Sequence, residues 1–506
     1  MKSEASYNPC RCCQAPARNP GALSRRGLLS GGAAAGLFPA LPLGGLAAES
    51  GGPAATRLPL KVQPVLVYET PQRAEATSWR NWGAIHTEQD AAQEKNRIQA
   101  EIAALASAEV EFLPLAGIRT PEEASKLAQG QDLTVIYAAG GSVKTHEVLA
   151  SASKWCIMFV RHRSGPVYLW YEIAHPRFLR KTVDPYGQPG MDEQDVVVDS
   201  QAELRWRFRA LAGLKNTLGK RIVAFGGASG WGAGGRQAAE NARRIFQLDI
   251  RTIGYPQLGE MIKQARANDA LVKKARVETE AYLKQKGTTL ETKREFVTNA
   301  FLLAEVFQQA LEQSQTDCMT INQCMNTIMP MAETTACLPL SLLNDRGYMA
   351  FCESDFVVIP SGILLRYISG NPVFMNDPTY PHDNLVTLAH CTAPRKMDGR
   401  RVEPARILTH FESDYGAAPK VEMRRGQRVT TIDPDFNFKR WLAFEGEIAA
   451  APFLPICRSQ IDVAFKGSNE RLIREMKGFH WMTCYGSHAR ESRYALKKVG
   501  IEMEIV

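Results

Sequence analysis

Between Lys61 and Val160 short apolar runs alternate with helix-length amphipathic stretches, and this alternation constrains the fold more than any other feature of the chain. Lys61–Tyr68, Val110–Leu113, Leu133–Tyr137 and Trp155–Val160 read as strands. Thr87–Ala108 reads as a helix, with Thr87 and Asp90 suited to its start and Ile98, Ile102 and Leu105 on one face. Thr120-Pro121-Glu122-Glu123 opens another helix. Strands that alternate with helices are joined by crossovers, which implies a parallel sheet covered on both faces.

The pattern restarts at Arg221–Phe225. A glycine-rich turn from Gly226 to Gly235 follows, then a helix over Arg236–Phe246 and a strand over Leu248–Ile253. Pro256 starts another helix, and a long amphipathic one covers Thr292–Gln313. Asp317–Cys324 and Met349–Cys352 read as strands, giving a second parallel-sheet domain. After Leu385 the helices thin out. Short β-like runs recur at Val386–Cys391, Arg406–Phe411, Lys420–Met423, Arg428–Ile432, Lys439–Phe444 and Ile461–Phe465, separated by Gly, Pro and Asp. That is the signature of an antiparallel barrel or sandwich. The expected architecture is α/β: two Rossmann-like parallel-sheet domains, 58–217 and 218–384, followed by a C-terminal β-barrel-containing domain, 385–506.

The first 48 residues stand outside this scheme. Ser24-Arg25-Arg26-Gly27-Leu28-Leu29 is a twin-arginine pattern, followed by a Gly/Ala-rich apolar run to Leu46 and small residues at Gly45 and Ala47. Basic, apolar and small segments in that order read as a cleavable export signal, placing the mature protein in the periplasm or outside the cell. The run is too short and too rich in Gly and Pro to favour a membrane-spanning helix, and no membrane partner is expected after cleavage. The signal holds five basic residues against one acid, so its removal lowers the net charge from +8 to +4. Without a dense basic stripe, that charge argues against nucleic acid as a partner. Eight of the 11 cysteines would remain; several sit in apolar runs and read as buried thiols rather than a disulfide framework.

Three segments hold residues with chemical potential. Gly230-Trp231-Gly232-Ala233-Gly234-Gly235 fits a dinucleotide fingerprint, with Asp249 downstream. Bulky Trp231 stands where a pyrophosphate needs close backbone approach, and Asp249 lies inside its strand, so a glycine-rich turn beside a substrate cleft is the favoured reading. In the second segment, Glu353 and Asp377 each sit at the carboxyl end of an apolar strand-like run, with a helix over Ile359–Ile368 between them, ended at Ser369-Gly370-Asn371. A strand–helix–strand unit would place both acids in one crevice, where two carboxylates repel unless a cation or proton lies between them. Asp355 reads as the N-cap of the following segment. The third segment is Gly478-Phe479-His480-Trp481, in which His480 opens an apolar run; His390 has a similar setting in Leu388-Ala389-His390-Cys391. A histidine in such a run is more often a packed core residue than a ligand.

The stretch Glu353-Ser354-Asp355 through Gly370 to Phe374-Met375-Asn376-Asp377, together with His480, resembles the L-fucose isomerase/L-arabinose isomerase superfamily. The family's Glu-Asn-Asp reads Glu-Ser-Asp here. The resemblance covers mainly residues 337–391 and 478–506. It implies a divalent ion, Mn²⁺ or else Co²⁺ or Mg²⁺, held by Glu353, Asp377 and His480, with open positions for the substrate. It further implies aldose–ketose isomerisation of a pentose, hexose or deoxysugar through an ene-diolate, with Glu353 and Asp377 as acid and base. His390, Trp79 and Trp82 are substrate-contact candidates, and the resemblance implies a homo-oligomer. Two other classes stay open: an exported NAD-dependent sugar oxidoreductase using the Gly230 loop, and a non-catalytic sugar-binding protein.

Overall fold

The computed structural model describes residues 57–127, 129–169, 179 and 191–506; the twin-arginine segment lies outside them. Two parallel sheets and a closed antiparallel barrel make up most of the chain.

The first sheet holds β1 (Leu60–Val67), β2 (Val110–Phe112), β3 (Ala116–Ile118), β4 (Leu133–Ala138), β5 (Trp155–Val160) and β6 (Val196–Val198). Its order is β2-β1-β4-β5-β6, with β3 also on β1, and every pairing is parallel. β4 and β5 are buried along their whole length, as strands covered on both faces must be. The helix over Glu88–Leu105 starts as its sequence dictates. The Thr87 side chain accepts from the Asp90 backbone while the Asp90 carboxylate accepts from the Thr87 backbone, a reciprocal cap.

The second sheet is built from β7 (Arg221–Phe225) and β8 (Asp249–Ile253). It is completed, past the short β9 (Thr288–Leu290) that leaves for another sheet, by β10 (Cys318–Ile321) and β11 (Met349–Phe351). The order β11-β10-β7-β8 is again wholly parallel. Asp249 stands at the first residue of β8, ion-paired with Arg221 at 2.7 Å, so it lies at the end of the strand opposite the glycine-rich turn.

The barrel begins earlier than the change in sequence pattern suggests. Its strands are β12 (Val373–Pro378), β13 (Leu385–His390), β16 (Arg428–Asp433), β17 (Arg440–Ala450), β18 (Ser459–Phe465) and β19 (Trp481–Tyr485). They run in the order β16-β19-β12-β13-β18-β17, and β16 pairs with β17 to close the ring. β20 (Glu502–Ile505) adds a parallel strand to β17. β14 (Ala405–Leu408) and β15 (Ala418–Val421) stay out of the barrel and form a three-stranded sheet with β9.

The expected strand–helix–strand unit is therefore corrected. The helix Ile359–Ser369 is present and stops at Gly370, whose φ of +76° suits the left-handed cap. Its two flanking strands, however, enter different sheets: β11 is an edge of the parallel sheet, whereas β12 sits between β19 and β13 in the barrel. The physical reason is partner choice. Val373–Asn376 pairs antiparallel along its length with Trp481–Cys484, from the far end of the chain, and local sequence carries no trace of that. No helix among the described residues is long and apolar enough to cross a membrane.

Candidate functional site

Three neighbouring barrel strands and one parallel strand aim side chains at a common point. In the antiparallel ladders Asp377 lies opposite Ala389, and Asn376 lies opposite Trp481. These registers put Asp377 of β12, His390 at the end of β13 and His480 just before β19 at one rim of the barrel. Glu353 arrives from the carboxyl end of β11. The backbone there turns through left-handed conformations at two successive non-glycine residues, Glu353 (φ +60°) and Ser354 (φ +48°). Such positions cost energy and persist where surrounding contacts enforce them. Here the Ser354 N–H donates to Thr320 Oγ1 at 3.1 Å, and the Ser354 carbonyl accepts from the Ser229 N–H at 3.2 Å.

The resulting distances are short. His480 Nε2 lies 3.2 Å from Glu353 Oε2 and 3.4 Å from Asp377 Oδ1; His390 Nε2 lies 3.5 Å from Glu353 Oε1. Both imidazoles are buried, and each carboxylate is 17% exposed. Asp377 Oδ1, His390 Nε2 and His480 Nε2 are buried atoms with no hydrogen-bond partner among the described residues. Buried polar atoms are normally satisfied, so three orphans facing one point call for a shared ligand. Ligands at adjacent corners of an octahedral site, each about 2.1 Å from the ion, lie about 3 Å apart. The observed spacings sit just above that, and the mixed carboxylate and imidazole donor set suits a divalent ion such as Mn²⁺. The residues present fit the group that the sequence implied.

Electrostatics in the cluster are strongly skewed. Burial works to raise the Glu353 carboxyl, yet the two imidazoles outweigh it and bring it down to about 2. Asp377 is raised to about 6, chiefly by burial. Burial alone would lower both histidines, but the carboxylates reverse it: His390 rises to about 9 and His480 is raised well above the ordinary imidazole range. The cluster thus holds protons where a cation would otherwise sit.

Asp355 caps the turn that leads into the next helix, and it does more. Its Oδ2 lies 2.7 Å from His480 Nδ1, while its Oδ1 accepts from the Trp231 N–H at 3.2 Å and the Val357 N–H at 3.0 Å. A carboxylate on the far nitrogen of an imidazole fixes its tautomer and aims the other nitrogen at the site. The signal was present in the sequence, as a second acid two residues beyond Glu353. His480 is also anchored from behind: buried Asp433 accepts from the Lys477 and Gly478 N–H groups, both at 2.7 Å, which sets the approach to β19.

The glycine-rich segment forms part of the wall around this site. Gly230 and Gly235 pack so closely that a Cβ on Gly230 would lie 2.2 Å from the Gly235 carbonyl oxygen. The turn folds on itself and presents Trp231, whose ring stacks on Phe479 with centroids 4.4 Å apart and planes 9° apart. Phe479 precedes His480, so the half-buried pair forms an aromatic surface beside the cluster. Trp79 and Trp82 show no contact with the cluster among the described residues; Trp79 carries the Arg80 guanidinium on its face and Trp82 is 67% exposed.

No family model matches the chain, and no curated protein is similar enough to it to count as a relative.

Proposed function

We propose that the protein is a metal-dependent aldose–ketose isomerase. The convergence of two carboxylates and two imidazoles through unpartnered buried atoms carries this reading. A bound divalent ion, Mn²⁺ in preference to Co²⁺ or Mg²⁺, supplies Lewis acidity at adjacent oxygens of an open-chain sugar. Glu353, Asp377 and His480 would hold that ion, and His390, whose donor atom lies within 4.8 Å of those of Glu353 and His480, would join them as a fourth donor or as a contact to the sugar. Glu353 and Asp377 carry the proton between neighbouring carbons. Asp355 orients His480, and the Trp231–Phe479 surface offers an apolar face to a sugar ring.

The finer architectural reading belongs with this proposal: two Rossmann-like units ahead of the barrel, in a homo-oligomer exported by the twin-arginine route. That route carries folded proteins, so the ion would be loaded before export.

The test is metal analysis of purified protein alongside an isomerisation screen over pentoses, hexoses and deoxysugars. The expected result is about one Mn²⁺, Co²⁺ or Mg²⁺ ion per chain, counted apart from zinc, with turnover on at least one sugar. Both should be lost in Glu353→Gln and in His480→Ala. Metal content unchanged in the two variants rejects the site, and metal bound without turnover on any sugar rejects the activity.

A further inference from the structure

A second group of donor atoms lies behind His390. Cys337 opens the helix Cys337–Asp345, Cys391 follows β13, and His410 follows β14. Their ligand atoms all lie within 4.8 Å of one another, and the three residues are 3%, 6% and 5% exposed. The two sulfurs are 3.1 Å apart and unbridged. Cys352 contacts Cys391 through its side chain but lies outside the group of three.

We propose that Cys337, Cys391 and His410 form a three-ligand thiolate-type metal site, distinct from the carboxylate cluster, that takes Zn²⁺. Sulfur and imidazole donors select borderline and soft ions and leave Mn²⁺ or Mg²⁺ to the oxygen-rich site. The imidazole is prepared for this role: Ser413 Oγ lies 3.1 Å from His410 Nδ1, which fixes the ring. Two sulfurs on a tetrahedral zinc at 2.3 Å would lie about 3.8 Å apart, a smaller change from the observed spacing than closure to a disulfide at about 2.05 Å. A disulfide would also leave the oriented His410 without a role. Binding exchanges two thiol protons for the ion and involves no electron transfer.

His390 links the two sites. Its Nε2 faces Glu353, while its Nδ1 lies 3.8 Å from Cys391 Sγ and 3.2 Å from Thr392 Oγ1. Occupancy of the sulfur site therefore bears on the ring that borders the carboxylate cluster. The proposal does not depend on the isomerase reading.

Cobalt is the probe. The full-length protein, reduced and stripped of metal, is titrated with Co²⁺ while the thiolate-to-cobalt charge-transfer band is recorded. Oxygen and nitrogen ligands alone do not produce that band, so the carboxylate cluster is silent. The expected result is one equivalent of cobalt giving the band, bleached by Zn²⁺. The band should fall at least tenfold in Cys337→Ser and in Cys391→Ser, and its visible bands should shift in His410→Gln, which also serves if a serine variant fails to fold. No band in the fully reduced protein overturns the proposal, as does a band unchanged in both serine variants. A Cys337–Cys391 disulfide that forms in air despite excess Zn²⁺ overturns it too.

Discussion

Two of the places where the molecule buries charge are built on opposite terms. Beside the first parallel sheet Arg161 is fully buried, yet every charge around it is answered. Its Nε donates to Glu94 Oε1 at 2.6 Å, its two terminal nitrogens grip Glu101 at 2.9 and 2.8 Å, and Tyr168 donates to Glu94 at 2.5 Å. At the barrel rim, Asp377, His390 and His480 present buried atoms that make no well-directed hydrogen bond among the described residues and meet only one another and Glu353 in ion-pair contact. Buried charge by itself does not mark a functional site. A closed network is a structural tie, whereas convergent orphan atoms are a receptor for something else.

The histidines repeat the contrast. His146, on the helix Val143–Ala150 of the first domain, has the Gly140 carbonyl 2.8 Å from its Nε2, and burial pushes it down to about 4. His390 is equally buried but faces carboxylates and rises to about 9.

The largest effect that would break this comparison is on Arg161. Arg161→Met should cost about 3–5 kcal/mol of unfolding free energy, because Glu94 is left charged, buried and without its cation. Urea unfolding measures this, and metal content should stay at the wild-type value. A loss below about 1 kcal/mol, or a fall in metal content, would mean that the two regions are not different in kind.

The next effect is a pH dependence. An imidazole whose folded value lies near 4, against 6.5 unfolded, stabilises the protein fully above pH 6.5 and loses that contribution as pH falls toward 4. The loss approaches about 3 kcal/mol. Replacing it in His146→Gln should flatten the stability profile between those pH values; a profile with the wild-type slope would show that His146 is not held neutral.

The smallest effect sharpens the description of the rim. Asp355→Asn keeps the shape of the side chain but weakens its hold on His480 Nδ1, and metal affinity should fall by about 10- to 100-fold with the fold intact. Calorimetric titration with Mn²⁺ reads this directly. An unchanged affinity would reduce Asp355 to a turn residue.

Local signals in the chain proved accurate where the physics is local. Thr87 and Asp90 cap their helix as the spacing predicts, and β5 and β7 fall on the residues expected from their apolar runs. Gly370 ends its helix because it alone there accepts a positive φ without strain. The candidate residues Glu353, Asp377 and His480 were legible as types in plausible settings, and the structure brings all three together. His390 was read as an accessory contact, but its 3.5 Å approach to Glu353 matches the distances that His480 keeps to the two carboxylates. Asp355 was read only as an N-cap, because its second role shows only once the histidine 125 residues away is in place.

Sequence alone determined the elements: apolar periodicity, caps and turn residues act over a few residues, and so two parallel sheets followed by a β-rich region could be read from the chain. Only the tertiary structure decided which sheet β12 would join, and with it whether Asp377 meets His480, because strand pairing is set by the burial and hydrogen bonding of partners more than a hundred residues apart. The site exists where a parallel strand end and a barrel rim are pressed together, and no segment of the chain encodes that contact on its own.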